Sequence, residues 1–245
     1  MTVIAHLSDT HLDSTAERTA RFERVTRELE LLLQLDALIV TGDLTDHGDP
    51  AEYRAFFDVL PSHVPTLVVP GNHDNRDGLR PYLQGLKPGE ALNTVLELDG
   101  GTVIGLDSLV EGEDRGELTE ETLAFADRAI STATGWVVLA MHHPAVPVGH
   151  PVMDQHGLTN GNDLADLIGA SDKVVACFVG HVHSALAASF ADRPLIGAPG
   201  IASTMRLGGR HDPIADARAM PGLVVHNVAD DWHLSSVFHY LSPTA

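Results

Sequence analysis

The chain predicts an α/β protein of four layers, α/β/β/α, in which two mixed β-sheets pack face to face and helices cover their outer sides. Three observations lead there. Short apolar runs alternate with helical patterns through the first third of the chain. A β-richer stretch with hairpin turns follows, and two further helix–strand pairs precede a C-terminal return to hairpins. No internal repeat, low-complexity tract or linker interrupts the 245 residues, so they read as one domain, 1–245. Its C-terminal part, about 186–245, forms hairpins and a long loop.

The elements follow in order. Val3–Leu7 is a strand and Ala16–Gln34 an amphipathic helix; Leu38–Thr41 is a second strand. Asp49-Pro50-Ala51-Glu52 starts a helix, with an N-cap, a proline at the first position and a glutamate at the third. Thr66–Val69 is a third short strand. Thr94–Leu98 and Val103–Leu106 flank Asp99-Gly100-Gly101, a hairpin turn. A helix near Thr119–Thr132 precedes the strand Trp136–Met141, and another near Asn162–Ile168 precedes the strand Val174–Val179. Turns at Ala191-Asp192 and Asp230-Asp231 close two hairpins. Arg206–Met220 has no clear periodicity and reads as the long loop.

Composition narrows the function classes. With 44% hydrophobic and 20% charged residues, the chain is ordinary for a soluble globular protein. No apolar run reaches the length of a membrane span, and MTVIAHLSD lacks the basic region of a signal peptide. A single cysteine, Cys177, excludes an intramolecular disulfide and fits a cytoplasmic location. The formal charge of −19 argues against long nucleic acid and against anionic membranes as partners. A small anionic substrate is still compatible where bound cations dominate the local field. Fifteen histidines are a first hint of metal chemistry.

Five short motifs, each just after an expected strand, carry that hint further: Asp9-Thr10-His11, Gly42-Asp43, Gly71-Asn72-His73-Asp74, His142-His143 and Gly180-His181-Val182-His183. Strand ends are where α/β folds place ligand-binding groups. If Asp-x-His and His-x-His continue their strands, alternation aims both side chains of each pair to one side. Carboxylates and imidazoles without cysteine suit Mn, Fe, Co or Zn rather than a structural zinc. Asp43 lies between the pairs and can bridge two ions through its two oxygens, the clamp used for in-line phosphoryl chemistry. Taken singly, each motif is compatible with a polar turn or a surface histidine; five in order after apolar strands are not.

Motif order and content resemble the calcineurin-like metallophosphoesterases from Val3 to about His183. The resemblance implies one divalent ion on Asp9, His11, Asp43 and His183, and a second on Asp43, Asn72, His142 and His181. It implies that His73 contacts the substrate phosphate, with Asn72, and protonates the leaving oxygen, that Asp74 orients His73, and that a metal-bridging hydroxide attacks phosphorus in line. Thr41–Gly48 with Glu52-Tyr53, and Met153–Asn160, are similar to bacterial class III cyclic-nucleotide phosphodiesterases and their glycerophosphodiesterase relatives. A small phosphodiester, foremost a 3′,5′-cyclic nucleotide such as cAMP, is the expected substrate. Glycerophosphodiesters, phosphomonoesters and a non-catalytic scaffold of the same fold are the alternatives. A homodimer or larger homo-oligomer is compatible with the sequence.

The remaining candidates have plainer readings. His143 is expected to pack outside the site, His6 to be a satisfied core histidine, and Cys177 to be a buried core residue. Trp136 and Trp232 are expected in the core or on a sheet. His63, His211, His226, His233 and His239 are expected to be solvent-facing or structural. His150 and His156 lie in a loop between metal motifs, from which they can touch substrate; Arg206 is compatible with a phosphate or base contact and equally with a surface loop.

Overall fold

The computed structural model describes residues 1–206, 208 and 213–242. Two βα units open the chain: β1 (Thr2–Leu7), α1 (Ala16–Leu29), β2 (Ala37–Thr41), α2 (Pro50–Val59) and β3 (Thr66–Val69), followed by the short α3 (Arg76–Leu79). Helical crossovers leave β1, β2 and β3 parallel, with Ile4 opposite Ala37 and Leu38 opposite Thr66. Then come β4 (Thr94–Leu98), β5 (Gly101–Gly105), α4 (Glu120–Thr132), β6 (Trp136–Ala140), α5 (Gly161–Gly169) and β7 (Val174–Val179). The chain closes with β8 (Leu186–Phe190), β9 (Arg193–Gly197), β10 (Thr204–Met205), β11 (Ala215–Asp216), β12 (Gly222–Val228) and β13 (Leu234–Tyr240).

Two large mixed sheets result, in the orders β13-β12-β1-β2-β3 and β4-β5-β6-β7-β9-β8. Strand alternation divides their side chains among three cores. Ala5, Leu7, Leu38 and Val40 pack against Phe22, Val25, Tyr53 and Phe56 of α1 and α2. Ile4, Ile39 and Val69 meet Val138, Ala176 and Phe178 between the sheets. Ile104, Val137, Leu139 and Cys177 lie under Ala126, Ile130, Leu164 and Ile168 of α4 and α5. This is the expected α/β/β/α layering, and each fully buried aliphatic or phenyl side chain stabilises it by about 1.5–3 kcal/mol. Cys177 is buried and unpaired.

The helix starts behave as their residues direct. Glu52 Oε2 accepts the Asp49 N–H at 3.3 Å and so closes the start of α2, while Thr119 caps α4 through the Thr122 N–H. Ala191 and Asp192 both hold positive φ, 49° and 58°, as the two central residues of a tight hairpin must.

Four expectations need correction. The first helix stops at Leu29, not Gln34; beyond it Leu31 and Leu33 lie in water, while Leu32 and Leu35 pack on the core from non-helical backbone. β5 starts at Gly101, not Val103: this residue pairs with Trp136 and lies so close that a Cβ would sit 2.0 Å from the indole. Trp136 is buried as expected, but Trp232 is 38% exposed on the β12–β13 turn at φ 70°. The 206–220 segment is not wholly irregular, since Thr204 and Met205 pair with Asp216 and Ala215 across it. Within it, residues 207 and 209–212, including His211, lie outside the described residues.

Candidate metal centre

β1, β2, β3, β6 and β7 each run into one of the five motifs at the carboxyl end of a strand. The ligand atoms of Asp9, His11, Asp43 and His183 lie within 4.8 Å of one another, and all four residues are buried. His11 Nε2 is 3.1 Å from His183 Nε2, and His183 Nε2 is 3.5 Å from Asp9 Oδ1. Beside this set, Asn72 Oδ1 is 3.1 Å from His142 Nε2 and 3.0 Å from His181 Nδ1. Asp43 joins the two, with Oδ2 3.3 Å from His11 Nε2 and 3.4 Å from His142 Nε2. The two carboxylate oxygens of Asp43 are placed differently. Asp43 Oδ1 accepts the His73 backbone N–H at 2.9 Å, while Oδ2 lies beside an imidazole nitrogen of each set.

Strand alternation does not aim these side chains. Asp9, His11, Asp43, His181 and His183 all have φ between 41° and 68°, beyond the ends of their strands. A non-glycine residue in this left-handed region costs of order 1–3 kcal/mol and persists only when its surroundings hold it. Hydrogen bonds do so: the Asp9 N–H to Gly42 O and the His11 N–H to Asp43 O within the backbone, and the His181 N–H to the Asp9 carboxylate oxygen Oδ1. Close glycines make room for these turns. A Cβ on Gly71 would lie 2.2 Å from Asp43 Oδ1, and one on Gly180 would lie 2.0 Å from Ser8 Oγ.

Three of the imidazoles are fixed through the nitrogen that points away from the centre. His11 Nδ1 bonds Asp46 Oδ1 at 2.8 Å, His142 Nδ1 bonds Thr41 O at 2.6 Å, and His183 Nδ1 bonds Ser203 Oγ at 2.8 Å. Such contacts aim Nε2 inward, where its lone pair becomes available to a cation once that nitrogen is free of a proton. Behind Thr41 runs a buried polar chain: its hydroxyl meets His6 Nε2 at 2.9 Å, His6 Nδ1 meets His226 Nε2 at 3.2 Å, and His226 Nδ1 meets Ser236 Oγ at 2.8 Å. His6 is thus a satisfied core histidine, and His226 is structural. His63, His233 and His239 are solvent-facing.

His73 is part-exposed at the edge of the centre, 4.6 Å ring to ring from His11, and its Nδ1 donates to Asp46 O at 3.0 Å. Asp74 does not orient it. The Asp74 carboxylate instead accepts N–H bonds from Gly71, Leu44 and Thr45 and the Thr45 hydroxyl, tying the Gly-Asp loop to the Gly-Asn-His-Asp loop. The residue that contacts His73 is Asp46, through its backbone carbonyl; the Asp46 carboxylate bonds His11 and lies 3.8 Å from His73 Nδ1. His143 also lies closer than expected. It is buried, bonds Ser108 Oγ at 2.8 Å, and its ring lies 4.7 Å from that of His181.

A cavity of about 200 Å³ opens over the ligands, lined by Asp43, Asn72, His73, His156, His181 and His183. His156 therefore reaches the site, whereas His150 and Arg206 line a neighbouring cavity.

Charge in the centre is shared unevenly. Burial opposes a proton on His11, yet the Asp43, Asp46 and Asp9 carboxylates hold its pKa up at about 10; against the same opposition, Asp43 and Asp9 hold His142 at about 9. Burial and the neighbouring His11 charge push His183 down to about 3, and burial with His142 lowers His181. Burial and Asp43 raise Asp9 to about 6, while His142 and His11 outweigh burial to pull Asp43 well below the usual carboxylate range. Asp9 Oδ2 and His181 Nε2 are buried with no hydrogen-bond partner among the described residues. Nitrogen faces nitrogen at 3.1 Å and 3.3 Å between His11 and His183 and between His142 and His181. Unpaired buried acceptors cost about 1–3 kcal/mol each. The donor set fits divalent cations, which relieve that cost, and carboxylate, imidazole and amide oxygen together suit several of them.

The layered sandwich and the convergent carboxylate–imidazole set define a metal-dependent phosphoester hydrolase. The chain belongs to the calcineurin-like phosphoesterase family, whose model matches residues 2–185. A probable glycerophosphodiester phosphodiesterase from Arcobacter nitrofigilis is 33% identical over 195 residues, 74% of this chain and 71% of the relative. A probable cyclic nucleotide phosphodiesterase from Rhodococcus erythropolis is 36% identical over 207 residues, 78% of this chain and 68% of the relative. Among solved structures, a dimetal phosphatase from Danio rerio superposes with a TM-score of 0.71 at 11% identity, covering 92% of each chain, a likeness of fold alone.

Proposed function

We propose that the protein hydrolyses small phosphodiesters on two divalent cations, with 3′,5′-cyclic nucleotides such as cAMP as the foremost substrates. One observation carries the reading: a single carboxylate oxygen, Asp43 Oδ2, stands within 3.4 Å of an imidazole nitrogen from each ligand set. Asp9, His11, Asp43 and His183 would hold one ion, and Asp43, Asn72, His142 and His181 the other. When bound, such a pair polarises the phosphoryl oxygens and supplies a strong nucleophile at neutral pH.

The chain's own groups do the rest. Asp46, Thr41 O and Ser203 fix the rings of His11, His142 and His183, so little reorganisation accompanies the reaction. His73, anchored through Nδ1 to Asp46 O, leaves Nε2 to meet a phosphate oxygen and to pass a proton to the departing ester oxygen. Asn72 would offer its side-chain oxygen to the second ion.

Support for the substrate class comes from a cavity of about 200 Å³ over the centre, of a size for small molecules, and from relatives named for both cyclic-nucleotide and glycerophosphodiester cleavage. The test is hydrolysis of cAMP by Mn-loaded protein beside bis(4-nitrophenyl) phosphate. Conversion of cAMP to 5′-AMP is expected. Cleavage of the aryl diester alone would move the substrate to glycerophosphodiesters or other small diesters, and inertness toward both would refute the phosphodiesterase reading.

A further inference from the structure

Beside the metal-centre cavity lies a second one of about 210 Å³, and Met153 and Met205 line both. Its wall is otherwise built largely from Val148, Val182 and Leu186, with Ser184 and Arg206 supplying polar atoms. Part of this wall comes from the segment that carries His181 and His183. Val182 sits between His181 and His183, and Leu186 begins β8 just after them. His150 fixes the other side: its Nδ1 accepts the Val152 and Met153 N–H groups at 3.3 Å, and its Nε2 faces Arg206 O at 3.2 Å. The distance from this wall to the metal centre is therefore set by the fold.

We propose that this second cavity is the subsite for a flat heteroaromatic ring, the nucleobase of a phosphodiester whose phosphate lies on the metal centre; the proposal rests on the phosphodiesterase reading above. Two thioethers and three branched aliphatic side chains suit the faces of a ring, while Ser184 and Arg206 suit hydrogen bonding at its edge. A glycerol or ethanolamine substituent gains little from apolar walls, being well hydrated outside them. A choline headgroup is recognised by an aromatic cage, and no Phe, Tyr or Trp stands among the described lining residues.

The test compares binding of 5′-AMP and ribose 5-phosphate to the Mn-loaded protein by calorimetry, which isolates the ring without requiring turnover. The parent is expected to bind 5′-AMP at least tenfold more tightly. Ala185 lines the cavity from an exposed position, so Ala185→Trp fills the space without disturbing the core. It is expected to erase the preference while leaving ribose 5-phosphate affinity and the thermal midpoint unchanged; Ser184→Phe provides a second filling variant should the first fold poorly. Equal affinity of the parent for both ligands, or a preference that survives filling, would overturn the subsite. Retained ring preference in a protein that cleaves no diester would instead overturn the activity and leave the subsite standing.

Discussion

Gly71→Ala removes nothing and adds one methyl group, yet it should disable the centre. The new Cβ would lie 2.2 Å from Asp43 Oδ1, 2.3 Å from the Asp43 backbone nitrogen and 2.8 Å from its Cγ. Reaching even 3.0 Å, below which real Cβ contacts essentially never fall, requires Asp43 or Gly71 to give way by about 0.8 Å. A side-chain rotation cannot supply that shift, because the backbone nitrogen is in the way as well. The Asp43 backbone is itself tied: its carbonyl accepts the His11 N–H at 2.9 Å, and the adjacent Leu44 carbonyl accepts the Leu12 N–H at 3.1 Å. The displacement must therefore spread into the Asp9-Thr10-His11 loop. Overpacking of this kind costs about 1–3 kcal/mol of stability, a modest loss for a domain of this size. A misplacement near 1 Å at a catalytic group costs on the order of a hundredfold in rate. The expected variant is thus folded, with a thermal midpoint lowered by only a few degrees. It should bind fewer than two Mn per chain by elemental analysis and hydrolyse bis(4-nitrophenyl) phosphate about a hundredfold more slowly. Two tightly bound ions with activity within twofold of the parent would refute the assignment of Asp43 as the shared ligand.

Three further outcomes rest on the same geometry. Asp46→Ala frees the His11 ring, while the backbone carbonyl that holds His73 stays, and should weaken Mn binding about 10–100-fold in a metal titration. His11 and His142, held up at about 10 and about 9, must each shed a proton to ligate. Mn affinity should accordingly rise across pH 6–9, approaching about tenfold per proton per pH unit, with proton release visible by calorimetry in buffers of different ionisation enthalpy. Burial holds His6 down at about 3 and, together with His6, lowers His226; unfolding returns both to ordinary values. The unfolded chain then binds more protons below pH 6.5, so this stability is whole above pH 6.5 and lost as pH falls toward 3. The slope is about 1.4 kcal/mol per pH unit for each histidine. Urea unfolding of metal-stripped protein at pH 7, 6 and 5 should show a shallower slope in the His6→Leu/His226→Leu double variant.

Much of this architecture is legible in the residues. Apolar runs ending in Gly-Asp, Gly-Asn-His-Asp or Gly-His-x-His mark both the end of a strand and the ligand loop beyond it, and such local patterns survive folding. The features that escape a reading of the sequence are non-local. Nothing around Asp46 announces that its carboxylate reaches His11, thirty-five residues earlier in the chain. Adjacency places Asp74 behind His73, whereas folding turns it toward Leu44 and Thr45. The left-handed turns at Asp9, His11, His181 and His183 leave no periodicity to read, so alternation is a reasonable but wrong account of their aim. His226 pairs with His6 only because β12 returns beside β1, a connection that the intervening loop conceals. Helix α1 reads too long because Leu31 and Leu33 continue an apolar pattern that no partner surface meets.

The most direct test of the two-cation centre is anomalous diffraction at the manganese edge from Mn-loaded crystals. Two peaks are expected beside Asp43 Oδ2, one shared with Asp9, His11 and His183 and the other with Asn72, His142 and His181. A single peak, or two peaks that do not share Asp43, would contradict a centre bridged by that carboxylate.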